Sequence, residues 1–285
     1  MSLTAFGLVA ASVLCHATWN LMAKRAANVG GTVFTALWSL VAAIIWAPLG
    51  IYTLVSSWDQ LGTSTLVFIG GALVLHTGYY LLLQKGYSSG DLGVVYPIAR
   101  GLGPVLTCLV AVPFFHEDPG LLGWAGTFAL AISVAVLGRP RLTALKPVFY
   151  AIGVGVFIAA YTLWDKQAVA VAFVPPILVN WGTDTGRAIL FLPWLIKRRA
   201  EVKRIWKEHR TQVIGIATCS PAAYILVLTA LTMAPVTMIA PLREVSVLLV
   251  VFLGAKFLGE QDMWRRLTAA LGVVLGAVGV TLGKS

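Results

Sequence analysis

Ten stretches of about twenty mostly apolar residues follow one another along this chain, and this pattern limits its fold more than any other feature. They cover roughly 4–25, 32–55, 64–86, 91–114, 120–138, 148–168, 176–196, 211–233, 236–258 and 264–283. A bilayer core of ~30 Å is crossed by ~20 helical residues at ~1.5 Å each. The stretches lack strand-like alternation, so helices fit and a β-barrel does not. Hydrophobic residues make up 59% of the chain and charged residues 11%, less than half the ~25% charge of a soluble domain. A soluble domain of this length could not hide that much apolar surface, and the same composition excludes disorder. The predicted fold class is an all-α membrane protein with ten transmembrane helices. The first stretch has no basic region before Leu3 and leads into nine more, so it is expected to be a span rather than a cleaved leader. Cys15, Cys108 and Cys219 lie far apart in apolar stretches, which excludes a disulfide framework. No Cys/His cluster has metal-ligand spacing, and neither a metal nor a cofactor is expected.

The formal charge of +10 reads as topology, not as nucleic-acid binding, because cytoplasmic loops collect Lys and Arg. Sixteen of the 21 basic residues fall in or beside the odd-numbered loops. Seven of these lie in the polar stretch from Lys197 to Gln212. The even loops and termini hold Lys166 and Lys284. The odd loops are therefore expected in the cytoplasm and both termini outside, in a multi-pass protein of the cell inner membrane.

The chain repeats itself. Tyr80–Pro97 aligns with Tyr224–Pro241 at a constant offset of 144 residues, mostly apolar on apolar and small on small. FFHED at 114–118 answers FLGEQD at 257–262, placing Glu117 opposite Glu260. Trp19-Asn20 answers Trp164-Asp165. The predicted halves are 1–143 and 144–285, five spans each. Five is odd, so the second half enters the membrane from the opposite side. Inverted-topology repeats support alternating access around a central site.

With these features the chain resembles the drug/metabolite transporter superfamily, in its ten-helix EamA-type branch. The resemblance rests on the two five-helix halves, on Trp-Asn and Trp-Asp near the ends of helices one and six, and on proline in helices four and nine. The FLGE sequence of the second half is its most telling local motif; the first half departs with His116 in place of glycine. The resemblance implies a carrier of amino acids, small metabolites, quaternary amines or sugar-linked compounds, often an exporter. HATWN at 16–20 and YPIARG at 96–101 look similar to proteins found with phosphonate-use functions.

Ionisable residues at membrane depth cost at least ~2.5–3.5 kcal/mol on insertion scales, so they face a cavity or a partner. Arg100 lies ~13 Å along helix four, Arg243 sits at a comparable depth in helix nine, and Asp184 and Arg187 share a face of helix seven. A guanidinium offers a two-pronged donor to a carboxylate or phosphonate, so Arg100 and Arg243 are candidate substrate residues. The other reading of such residues is an internal ion pair, with Asp184–Arg187 the clearest case. Glu244 adjoins Arg243, but neighbouring helix positions diverge. Trp19, Asn20, Tyr80, Tyr96, Trp164, Trp181 and Tyr224 are further candidates, as cavity walls or, for Trp19 and Trp164, as interfacial anchors. Pro97 and Pro241 free backbone carbonyls or kink a packed helix. Asp184, Arg187, Glu244, Asp165 and His76 are candidates for coupling or ion pairing, with protons as a candidate coupling ion.

The function predicted is a secondary transporter of a small polar or zwitterionic metabolite, an amino acid or an organic acid or phosphonate. A quaternary-amine or lipid-headgroup carrier is the alternative. The expected partners are the solute and the lipid bilayer, and ten helices can enclose a cavity within one monomer. Gly86-Tyr87-Ser88-Ser89-Gly90 fits the G-x-S-x-G of serine hydrolases, which needs a strand-to-helix elbow; an intramembrane hydrolase is the least favoured reading. The basic stretch after helix seven could lie on an anionic leaflet, but a topology anchor is the simpler reading.

Overall fold

The computed structural model describes residues 1–26, 29, 31–89, 92–138, 145–246, 249 and 263–283. Among these, every regular element is a helix: α1 (Leu3–Arg25), α2 (Thr32–Ile45), α3 (Ala47–Ser56), α4 (Thr63–Ser89), α5 (Leu92–Phe115), α6 (Gly120–Gly138), α7 (Leu145–Lys166), α8 (Pro176–Lys197), α9 (Arg199–Leu231), α10 (Val236–Arg243) and α11 (Met263–Leu282), with short 3-10 and π turns between some of them. Among the described residues the apolar stretches fall on these helices, with 32–55 divided between α2 and α3. Among the described residues, five helices are long and apolar enough to cross a membrane by length and composition alone, and the α2–α3 pair makes a sixth.

Polarity runs opposite to that of a soluble protein. Large apolar side chains face outward, among them Leu66 at 73% exposure, Val74 at 68% and Ile189 at 66%. The charges lie inside: Asp165 is 0% exposed, Glu244 1%, Arg187 2%, Arg243 4% and Arg100 5%. Water would reverse this order, whereas lipid accepts an apolar belt and drives ionic groups to the interior.

Helix packing follows the sequence repeat. α1 packs on α9 as α7 packs on α4, and α5 meets α7 as α10 meets α1. The pairs α2–α8 and α6–α11 join equivalent helices of the two halves. These contacts correspond between the two halves, as expected of two inverted five-helix repeats.

Two elements depart from the simple helical reading. The second span bends by 54° between α2 and α3. Pro48 stands in the first turn of α3, where its missing N–H is harmless. The Trp46 indole donates to Ala217 O at 3.2 Å and fastens the bend to α9. Inside it, the Trp181 ring lies so close to Gly50 that no Cβ would fit there. The basic stretch 197–212 is also not a loop. Arg198 alone separates α8 from α9, and the chain is helical again from Arg199, with a break in helical geometry at His209. Ile205 is buried there while the charges face out.

The α6–α11 pair shows what small residues do where lipid supplies no hydrophobic drive. A Cβ on Gly126 would sit 2.5 Å from both Gly276 O and Val280 N. These are backbone atoms, so only separation of the helices could relieve the clash. Gly126→Ala is expected to destabilise the protein by about 1–3 kcal/mol, the usual scale of overpacking. Gly70→Ala, where nothing lies within 4 Å, is the control, and thermal unfolding in detergent reads both.

Candidate functional site

The buried ionic residues surround a central cavity of about 70 Å³, room for on the order of five waters. Its walls come from both halves. α1 supplies His16 and Trp19, α2 Trp38, α4 His76, Tyr79 and Tyr80, and α5 Arg100. α7 supplies Tyr161, α8 Asn180, Thr183, Asp184 and Arg187, α9 Ser220, Pro221 and Tyr224, and α10 Arg243.

Three polar groupings line or back these walls. The first joins Arg100, Glu244 and Arg243. Arg100 Nη1 lies 3.3 Å from Glu244 Oε1 and 3.4 Å from Oε2. The two residues are 144 positions apart, which is the repeat offset, so equivalent sites of the two halves carry opposite charges and meet. Arg243 Nε is 3.8 Å from Glu244 Oε1. The two are adjacent at the end of α10, where the Glu244 N–H bonds Pro241 O. This contact departs from the expectation that adjacent helix residues diverge. Arg100 Nη2 also lies 2.9 Å from His16 Nε2, and the Trp19 indole N–H lies 3.2 Å from His16 Nδ1. Both neighbours are donors, and a neutral imidazole has one acceptor, so His16 takes one of these bonds at a time.

The arginines differ in what they have left to donate. Arg243 Nε and Nη2 are buried without a hydrogen-bond partner. Arg187 is more fully engaged. Its Nη1 bonds Asp184 Oδ1 at 3.0 Å and Ser39 Oγ at 3.3 Å, and its guanidinium covers the rings of Tyr80 and Trp38 at 4.9 and 5.7 Å. Asn180 Nδ2 donates to the other Asp184 oxygen at 3.0 Å. This second grouping satisfies most of its own charges.

The third grouping centres on Asp165, just behind the cavity wall. Its Oδ2 accepts a short hydrogen bond from the Tyr224 hydroxyl and lies 2.8 Å from His76 Nε2. His76 stacks on Tyr161 with ring centroids 4.3 Å apart. Asp165 Oδ1 has no partner.

The remaining sequence candidates sit elsewhere. Trp164 donates to Phe68 O at 2.8 Å and packs against Gly71. Trp181 donates to Ala43 O at 2.9 Å. Both rings brace helix contacts and neither lines the cavity. Asn20 Nδ2 bonds His16 O, one turn back on α1, at 2.7 Å. Pro241 is buried inside α10. The side chains of Tyr96 and Pro97, and Glu260, lie outside the described residues; the backbone of α5 is helical through 96 and 97. The G-x-S-x-G sequence at 86–90 sits on the helical end of α4 as far as Ser89, not on a strand-to-helix elbow.

Tyr161 and Trp38 are cavity residues that the sequence reading did not select. For Tyr161 a signal existed: at the offset that aligns Trp19-Asn20 with Trp164-Asp165, it is the counterpart of His16.

α10 carries Arg243, and the other half of the molecule holds its start. Glu117, between α5 and α6, accepts hydrogen bonds from Val236 N at 2.9 Å and Thr237 N at 2.8 Å. The N-cap residue, Pro235, offers no side-chain acceptor, so Glu117 supplies the cap and its charge complements the helix dipole. Glu117→Ala is expected to lower stability by about 0.5–2 kcal/mol, read as the unfolding midpoint of the purified protein.

The EamA-like transporter family matches the chain twice, over residues 3–139 and 145–282. Twenty-nine solved chains also match. One crystal structure shares 18% identity over 99% of this chain and 98% of its own, with a TM-score of 0.77; at that identity the likeness establishes the fold. No curated protein matches the chain. With a double match across both helical halves, a lipid-facing apolar belt and an ionic cavity between the halves, this chain belongs to the EamA-like transporter family, membrane transporters of small solutes.

Proposed function

We propose that this protein carries a small metabolite bearing an acidic group, of amino-acid, organic-acid or phosphonate type, across the inner membrane by alternating access. The observation that carries this reading is Arg243. It is buried on the cavity wall with two guanidinium nitrogens unpartnered, and an unsatisfied buried donor costs ~1–3 kcal/mol. A carboxylate or phosphonate would satisfy both nitrogens through one two-pronged contact. Arg100 stands beside it on the same wall as the second candidate contact, already bonded to Glu244. A zwitterion also suits the charge layout. Two arginines share Glu244 on one side of the cavity, while on the other the Asp165 carboxylate lies behind tyrosines and His76.

Aromatic residues favour a second reading, a quaternary-amine carrier. Their faces are already engaged, however: Arg187 covers Tyr80 and Trp38, and His76 stacks on Tyr161. A thermal-shift screen of the purified protein against amino acids, phosphonates, organic phosphates and quaternary amines separates the two. Ligand at ~100 times its Kd adds ~2.7 kcal/mol to the native state. Stabilisation by acidic solutes is expected. Stabilisation by quaternary amines alone would move the site to the aromatic wall.

The charge asymmetry of the loops supports an orientation with odd loops cytoplasmic and both termini outside. The α8–α9 junction then lies at the cytoplasmic face.

A further inference from the structure

Asp165 is the one fully buried carboxylate in the third grouping, and its surroundings are unusual for a structural acid. The Tyr224 hydroxyl and His76 Nε2 meet Oδ2, and Oδ1 has no hydrogen-bond partner. Among the described residues, no arginine or lysine pairs with it. Its chain neighbour Lys166 points away and donates to Leu231 O and Ala234 O at 2.8 and 3.0 Å. An unpaired charge in a low-dielectric interior is costly. Asp165 itself does not line the cavity, whereas His76 and Tyr224, which meet it, and Tyr161 do. A proton can reach it through His76, which lines the cavity on one side and holds Asp165 with Nε2 on the other. With Nε2–H donating to Asp165, the lone pair of the neutral ring is on Nδ1.

We propose that His76 and Asp165 form a proton-binding site that is coupled to solute binding. A proton from cavity water bonds to Nδ1 of neutral His76, giving an imidazolium held against the Asp165 carboxylate. The pair changes from net −1 to neutral, Tyr224 keeps its donated bond, and no electrons are transferred. The coupling runs through Tyr161. Its ring stacks on His76 at 4.3 Å and lies under the Arg243 guanidinium at 6.0 Å. The imidazolium and Arg243 are therefore like charges set against the same ring, and an anion on Arg243 relieves the repulsion. By reciprocity the proton then favours the anion as much as the anion favours the proton. The carrier would move an acidic solute together with a proton. This coupling rests on the acidic-solute reading; the proton site itself does not.

Every element around the site contributes titratable or charged groups: Tyr79 on α4, Tyr161 on α7, Tyr224 on α9, Arg243 on α10, Asp184 on α8 within electrostatic range of His76, and Arg100 on α5, which is bonded to Glu244. Asp184 is occupied by Arg187 and Asn180, which leaves Asp165 as the counter-charge in hydrogen-bond contact with His76.

The test is infrared difference spectroscopy of the purified protein in nanodiscs, without solute, between pH 8.5 and pH 5.5. The chain has four histidines. An imidazolium band is expected that is lost in His76→Gln, retained in a variant with His16, His116 and His209 all replaced by Gln, and weakened several-fold at pH 6 in Asp165→Asn. A band that survives His76→Gln unchanged, or a wild-type spectrum with no imidazolium, overturns the site. Should His76→Gln fail to fold, the triple variant reads His76 directly as its remaining histidine. The coupling is tested at pH 7 by adding glycine or methylphosphonate. Either probe, where it stabilises the protein, is expected to increase the imidazolium band in wild type and not in Arg243→Gln. Stabilisation with no change in the band overturns the coupling. No stabilisation by either probe counts against the acidic-solute reading, while the solute-free titration still decides the proton site.

Discussion

Arg243→Gln is expected to abolish binding of the acidic solute while leaving the fold intact. Two guanidinium nitrogens of Arg243, a residue of the cavity wall, are buried without a hydrogen-bond partner. Hydrogen bonds to charged groups are worth ~1.5–3 kcal/mol each, so losing two of them weakens binding by about 100-fold or more at ~1.4 kcal/mol per decade. The fold should tolerate the change, because Glu244 keeps Arg100 as its partner and a buried cation with unmet donors is removed. Arg243→Lys restores the charge but not the fork, and recovers only part of the affinity. Calorimetry with the best solute from the thermal-shift screen measures both variants. Unchanged affinity in Arg243→Gln would exclude this residue as the anion contact.

Glu244→Gln should be more damaging to the protein itself. It leaves Arg100 and Arg243 facing each other in the buried interior with no carboxylate between them. Breaking a buried pair by removing one partner costs ~3–5 kcal/mol. At ~2 °C or more per kcal/mol for a chain of this size, the unfolding midpoint should fall by ~6 °C or more. Removing both partners is far milder, so adding Arg100→Gln to Glu244→Gln should recover much of the loss. A Glu244→Gln protein as stable as wild type would mean the carboxylate does not hold the two arginines together.

The fold was legible because lipid leaves few choices: among the described residues the apolar stretches are helical, and the repeat offset marked out two halves. The break at Trp46 was hidden because Trp46-Ala47-Pro48 continues an apolar run, and Pro48 was the available signal. The stretch after α8 read as a loop on its charge. Yet its apolar residues Val202 and Ile205 sit three apart and pack inward against the α2 region, which is helical spacing.

At the site, single residues were easier to find than their relations. Arg100, Arg243, Asp184 and Arg187 declare themselves as charges in apolar surroundings. The Arg100–Glu244 pair required reading the repeat as contact information, since their separation equals the offset. Trp164 and Trp181 share the composition of cavity residues but brace backbone instead, as their indole bonds to Phe68 O and Ala43 O show. Sequence alone does not say which way such a ring turns.

The account stands or falls on movement of an acidic solute through a cavity that depends on Arg243. The most direct measurement is counterflow: proteoliposomes loaded with the unlabelled solute that stabilises the protein best, with uptake of the same labelled solute followed from outside. The account expects transient accumulation of label in wild type, none in protein-free liposomes, and at most a few per cent of the wild-type rate in Arg243→Gln, in line with its ~100-fold loss of affinity. Full counterflow by Arg243→Gln, or counterflow of quaternary amines and of no acidic solute, would contradict it.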